Sequence, residues 1–537
     1  MSADLIITNA QIYTMDPAQP TAEAFAVRDG KFLAVGSAAE IDAQRGPKTE
    51  VIDLQGASVL PGLCDAHIHF THYALSLQQI QIFEVPSLAE MLQRVAAKAA
   101  ATAPGQWLTG WGWNHTLWSE PRFPTRHDLD KVAPDHPVLL REKSGHSVVV
   151  NTVALRLAGL DGKTPNPAGG ELMRDANGAL TGMLLEDPAI ALVTKMIPEA
   201  TEEEVDAAVL AAQENAHRFG LVAVHDLDGK RGFGTFQRLR NRGQLQLRAV
   251  THIAMAQLPY ALGVGLRAGL GDEWLRVGGL KLFADGALGP RTAAMIEPYE
   301  NEPDNYGITV VDKEDMLEMA SKASAAGLPT VIHAIGDRAN HDVLDVFAEV
   351  RAQEAAAGIP RTLRRHRIEH VQVLHPDDLP RLAALDVIAS VQPIHATQDM
   401  NNVDAFWGKR GDLAYAFRQL LDSGARLAFG SDAPVETPNP FVGIHAAVTR
   451  RRADGYPNAE GWHPSEKLTV AEAIAGYTTG AAYAESLDDV MGSITPGKYA
   501  DFIVPDRNIF DCDPMTIQDT QVLMTVVGGT VVYRAVL

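Results

Sequence analysis

Residues 57–70 read ASVLPGLCDAHIHF, an apolar run that passes directly into two histidines on alternate positions. Alternate residues of a strand share a face, so His67 and His69 point the same way at the carboxyl end of one strand. Two imidazoles placed like this can chelate a single ion, but a pair of hydrogen-bonded core histidines gives the same pattern. Other strand ends decide between the two readings. Lys281 in GGLKLFADG, His333 in PTVIHAIGD, His370 in HRIEHVQ and Asp432 in LAFGSDAP each close a separate apolar run with a ligand-type side chain. In a parallel barrel the carboxyl ends of the strands converge on one rim, where catalytic groups gather, whereas strands that face only helices carry aliphatics.

The rest of the chain supplies the elements such a barrel needs. Helix signals alternate with strand signals: Thr201 and Glu204 form a capping box ended by Gly220, and Thr469 with Glu472 repeats the box. This alternation predicts an α/β fold with a closed, TIM-like (β/α)8 barrel. Ten apolar runs compete for eight barrel positions. QWLTGWGWN and PVLLREK lie in a segment rich in Trp, Pro and Gly, over residues 77–200, which reads as an insertion after the first barrel strand, held over the active-site face. That leaves residues 61–76 and 201–484 for the barrel. The two ends, 1–60 and 485–537, share short β-branched runs broken by Asn, Asp or Gly, with Asp29-Gly30 as a hairpin signal, and predict one small β-rich module.

Acidic residues outnumber basic ones by 67 to 46, and the resulting formal charge of −21 repels phosphate backbones and anionic membranes. Neither nucleic acid nor a membrane is an expected partner. Cys64 and Cys512 are too few for a disulfide framework or a thiolate zinc cluster, so any metal falls to histidine and carboxylate. The amino terminus has no secretory pattern and no run is long enough to span a bilayer, which predicts a cytoplasmic protein. A symmetric homodimer is the default expectation.

Taken in order, His67-x-His69, Lys281, His333, His370 and Asp432 resemble the metal centre of the amidohydrolase superfamily. The motifs LPGLCDAHIH, LKLFADGALGPRTAA, HAIGDRAN, RIEHVQ, GSDAPV and GSITPGKYADFIV resemble its N-substituted formamide deformylase-like branch, and the likeness covers nearly the whole chain. The resemblance implies a metal-dependent barrel hydrolase with a small β-sandwich built from both chain ends. It implies that His67, His69 and Asp432 bind the more buried ion, that His333 and His370 bind the more exposed one, and that Lys281 bridges them as a carbamate. Zinc is the expected metal, with manganese or iron also suited to imidazole and carboxylate. In the mechanism so implied, metal-activated hydroxide attacks the carbonyl while Asp432 takes its proton and passes it to the leaving nitrogen.

The expected substrate is a small-molecule amide, an N-acyl or N-formyl amine. Cyclic-amide or ester hydrolysis and deamination are the alternatives on the same barrel. A deaminase of this type carries His-x-x-Glu at the fifth strand, but Gly336 stands three residues after His333, and Lys281 is also foreign to that site. A barrel retained only as a binding partner would be missing ligands, and none is missing. There is no G-x-S-x-G for a serine hydrolase. Weaker substrate-binding candidates are His146 in the insertion, Trp113 among Trp107, Trp111 and Trp118, and Asp285 and Arg291 in FADGALGPRTAA. For the tryptophans, packing of the insertion is the stronger reading. His225 and Asp226 end a barrel strand and are expected behind the ligands, with Cys64 inert.

Overall fold

The computed structural model describes residues 2–535 apart from 84, 116, 117, 119, 143–146 and 168–169. It divides into two compact units, Ala74–Ala208 and the remainder, Met1–Tyr73 with Val209–Leu537.

The larger unit holds eight parallel strands in chain order: β1 (Leu63–Ile68), β2 (Leu221–Asp226), β3 (Arg248–Ala254), β4 (Leu275–Phe283), β5 (Thr330–Ala334), β6 (Arg367–His370), β7 (Ile388–Val391) and β8 (Leu427–Phe429). Every residue of β1, β2, β6, β7 and β8 is buried, as expected of strands covered on both faces. The sheet closes just past the strand ends, where the Asp432 N–H donates to the His67 carbonyl (2.7 Å) and the His69 N–H to the Ala433 carbonyl (2.9 Å). All eight strands come from apolar runs anticipated in the sequence. The helix over Glu202–Arg218 carries the full capping box, with Glu204 N–H donating to Thr201 Oγ1 (3.2 Å) and Thr201 N–H to Glu204 Oε2 (2.8 Å). Val205, Ala208, Val209, Ala212 and Ala216 form its buried stripe.

Strands from both chain ends pair in the same unit. Phe502–Pro505 runs beside Ser58–Pro61, which in turn pairs with Gln11–Tyr13. This six-stranded sheet and a four-stranded one built on Leu5–Thr8 share a core containing Ile7, Phe25, Phe32, Phe502 and Val526. Arg28 lies opposite Lys31 across Asp29 and Gly30, whose φ angles of 51° and 72° match the two-residue hairpin turn. The smaller unit has its own six-stranded sheet, in which QWLTGWGWN and PVLLREK supply the adjacent parallel strands Leu108–Trp113 and Val138–Glu142. Among the described residues no helix is long and apolar enough to cross a membrane.

Candidate metal centre

Four side chains from three strand ends face one another at the rim. His67 Nε2 lies 3.3 Å from Asp432 Oδ1, and His69 Nε2 lies 3.7 Å from the same oxygen. The His370 ring is 4.8 Å from that of His67, and His67, His370 and Asp432 each offer a ligand atom within 4.8 Å of the others. The far nitrogen of each imidazole is engaged. His67 Nδ1 faces the Glu369 carboxylate, His370 Nδ1 is 2.8 Å from Gln392 Oε1, and His69 Nδ1 is 2.9 Å from Asp228 Oδ1. An oxygen acceptor at Nδ1 fixes the hydrogen there and leaves the Nε2 lone pair free to bind a cation.

Burial and charge act together on these groups. Burial pushes His370 well below the ordinary imidazole range, with His333 and His67 adding to it, which keeps the ring in its neutral ligand form. Burial alone would raise Asp432, but His67, His370 and His395 hold the carboxyl well below its usual range. At His67 burial acts downward and is overcome by Glu369 and Asp432, so the pKa is raised. Two carboxylates thus favour positive charge at this spot, which a bound cation supplies in place of a proton. Three residues here carry side chains on left-handed backbone: His370 (φ 75°), Val371 (45°) and Asp432 (59°). Such conformations cost roughly 1–3 kcal/mol each and persist where the surroundings dictate them.

The description "Amidohydrolase family" matches residues 50–533. The chain belongs to the amidohydrolase family. It is an enzyme, a metal-dependent hydrolase of that family. Its relatives include Protein LONG AFTER FAR-RED 3 of Arabidopsis thaliana, 35% identical over 99% of this chain and 92% of that one. The N-substituted formamide deformylase of Arthrobacter pascens is 30% identical over 99% and 98%. The solved structure of an uncharacterized metal-dependent hydrolase from Pyrococcus horikoshii OT3 superposes with a TM-score of 0.78 at 28% identity, covering 95% of this chain and 99% of that one.

In this amidohydrolase the remaining expected ligands adjoin the first four. The His333 ring meets that of His370 edge to face at 4.5 Å, while its Nε2 is 2.9 Å from the Gly286 carbonyl. Burial and then the Lys281 charge push His333 down to about 3. Lys281 is buried in β4 with Nζ 4.8 Å from the Phe283 ring centre. Burial pushes its amine down to about 8 against the pull of Glu369 and Asp432.

Among the weaker candidates Asp285 stays beside the centre, with Oδ1 3.6 Å from His333 Nε2. The Asp285 carboxylate accepts from the backbone N–H groups of Ala294 (2.9 Å), Ile335 (3.0 Å) and Gly336 (2.8 Å), tying together the loops after β4 and β5. Burial raises it to about 7. Arg291 pairs with Glu302 and lies over Phe406. Trp113 is fully buried in the smaller unit, where Nε1 donates to the Leu140 carbonyl (3.0 Å), so packing accounts for it. His146 lies outside the described residues. Cys64 is buried, and burial pushes its thiol well above the ordinary range, so it does not supply a nucleophile.

The amidohydrolase also uses residues that were not singled out in its sequence. Glu369 receives His67 on one oxygen and approaches Arg367 Nε at 2.7 Å on the other. Arg367 reaches His225 Nδ1 (3.1 Å) and His252 Nε2 (3.0 Å), so β2, β3 and β6 are linked behind the expected ligands. The signal was present in HRIEHVQ: two charges on alternate positions of a buried strand must pair with something. Asp65 joins β1 to the loop after β8 by accepting from Ser431 N–H (3.0 Å) and Ser431 Oγ (2.5 Å).

Proposed function

We propose that this amidohydrolase cleaves linear amides of the N-acyl or N-formyl amine class, releasing a carboxylate and an amine. The observation that carries the reading is the buried set His67, His370 and Asp432, with the Nδ1 atoms of both imidazoles held by Glu369 and Gln392. The formamide deformylase relative, similar over almost its full length, supports the bond type.

His67, His69 and Asp432 would hold one divalent ion, with zinc the expected species, and His333 and His370 would hold a second, with Lys281 joining the two positions as a carbamate. Such an ion supplies a water of near-neutral pKa and polarises the carbonyl. The protein's own part is proton management and alignment. Asp432 accepts the proton released as water attacks the carbonyl carbon. It delivers that proton to the nitrogen as the C–N bond breaks, so the amine leaves neutral and the water oxygen stays in the carboxylic acid, which gives its remaining proton to solvent to become the carboxylate. Glu369, Gln392 and Asp228 hold the imidazoles at fixed orientation, so that less reorganisation is needed at the moment of reaction. It would act on small molecules as a cytoplasmic homodimer, and the formal charge of −21 disfavours nucleic acid and anionic membranes as partners.

The test is a turnover screen of the zinc-loaded enzyme on N-formyl amines, N-acyl amines, cyclic amides, esters and aminopurines, scoring amine, carboxylate and ammonia separately. Amine and carboxylate should appear together from the linear amides. Ammonia from the aminopurines with no amine from the amides would replace this reading with deamination.

A further inference from the structure

β7 runs through Gln392 into a short helix, Pro393–Gln398, which sets another imidazole, His395, beside Asp432. His395 is 8% exposed, and its ring is nearly parallel to that of His370, 11° between planes with centres 6.2 Å apart. Its Nε2 is 4.0 Å from Asp432 Oδ2, too far for a direct hydrogen bond. Among the described residues this Nε2 has no hydrogen-bond partner, and neither does Nε2 of Gln392 three residues earlier. A buried polar atom left without a partner costs about 1–3 kcal/mol, so two of them in one segment require an explanation.

Asp432 divides its oxygens: Oδ1 faces His67 and His69, and Oδ2 faces His395. A carboxylate oxygen on that side favours the tautomer with hydrogen on Nε2, which makes His395 a donor aimed beside the group that handles the proton of water. On the proposed reading His67, His69, His333, His370 and Asp432 would hold metal ions, and His395 is the imidazole beside Asp432 left for the substrate. Amide hydrolysis builds negative charge on the carbonyl oxygen, and a fixed N–H donor shielded from water stabilises that charge strongly.

The geometry points to His395 as a further catalytic residue, whose Nε2–H donates to the carbonyl oxygen of the scissile amide and holds it more tightly as it becomes anionic. The hydrogen stays on nitrogen throughout; the proton that moves is the one carried by Asp432. This assignment rests on the amide-hydrolysis reading.

The test uses the zinc-loaded full chain with two probes, the best amide substrate and an N-alkyl phosphonamidate, a tetrahedral anion shaped like the hydrolytic intermediate. H395A is expected to lower kcat by about 10²–10³ with KM little changed, and to weaken phosphonamidate binding at least about tenfold. Zinc content should stay at the wild-type level, and H395Q, which keeps an N–H donor, should recover part of both losses. Phosphonamidate binding that is absent in the wild type, or unchanged by H395A, overturns the assignment, as does a loss of turnover fully explained by lost zinc. A wild-type enzyme that cleaves no amide defeats the reaction assigned above, while the difference in phosphonamidate binding between wild type and H395A still decides the role of His395.

Discussion

Among the described residues two clusters at the rim contain the same residue types, two histidines and an aspartate, but they differ in the lone pairs the fold leaves free. In the first, His67, His370 and Asp432 are buried, and the protein engages the far side of each imidazole. In the second, His69 and His72 both direct Nδ1 at Asp228, at 2.9 and 2.7 Å. Asp228 also accepts from the Thr71 hydroxyl and the His72 N–H (3.0 Å) at the start of the helix Phe70–Ser76. Its lone pairs are occupied by the fold, and burial of the carboxylate is outweighed by those contacts, so its pKa is strongly depressed. Composition does not distinguish the clusters; the lone pairs left over do. The second cluster therefore orients His69 for the first.

The strongest way to break this comparison is to remove Asp432. D432A should lower kcat by at least about 10²–10⁴, the range for loss of a positioned acid–base group, and reduce bound zinc as well. Metal analysis and steady-state kinetics on the same preparation check both. Full turnover with undiminished zinc would leave the first cluster no better than the second.

A smaller effect sharpens what holds the first cluster. E369Q keeps a hydrogen-bond acceptor for His67 Nδ1 and avoids stranding Arg367 beside a cavity, but removes the charge. Zinc affinity, read by competition with a chelator, should fall by about tenfold, the lower end for a partner one shell behind the metal. Unchanged affinity would show that the Glu369 charge is not felt at the ion.

The sequence disclosed the expected ligands more readily than the residues that support them, for a physical reason. His67 and His69 are two residues apart on one strand, and the other expected ligands each close an apolar run, so local periodicity plus barrel topology brings them together. Glu369, Asp228 and Gln392 act across strands, and pairing over 302 residues, as between His67 and Glu369, leaves no local pattern. FADGALGPRTAA was the reverse case. Its Asp285 has the look of a substrate contact, yet it spends its oxygens on three backbone N–H groups that shape two loops. His395 was missed because it sits beyond the end of β7, on a helix, where strand periodicity no longer applies.

The smallest expected effect tests the second cluster directly. The His72 side chain is 57% exposed, and its hydrogen bond to Asp228 is the main cause of a raised pKa, opposed by burial and by Arg231. A histidine whose folded pKa lies above its unfolded value stabilises the fold fully below about pH 6.5, and that contribution disappears as pH rises through the raised value. Exposure and salt screening keep it to no more than about 0.5–1 kcal/mol. H72A should therefore be slightly less stable than wild type at pH 5.5 and equal to it at pH 9, measured by urea unfolding. Zinc stoichiometry and kcat should stay within about twofold, since Asp228 keeps its hold on His69 Nδ1. Loss of one zinc per chain in H72A would make the second cluster a metal site in its own right and cancel the distinction between occupied and free lone pairs.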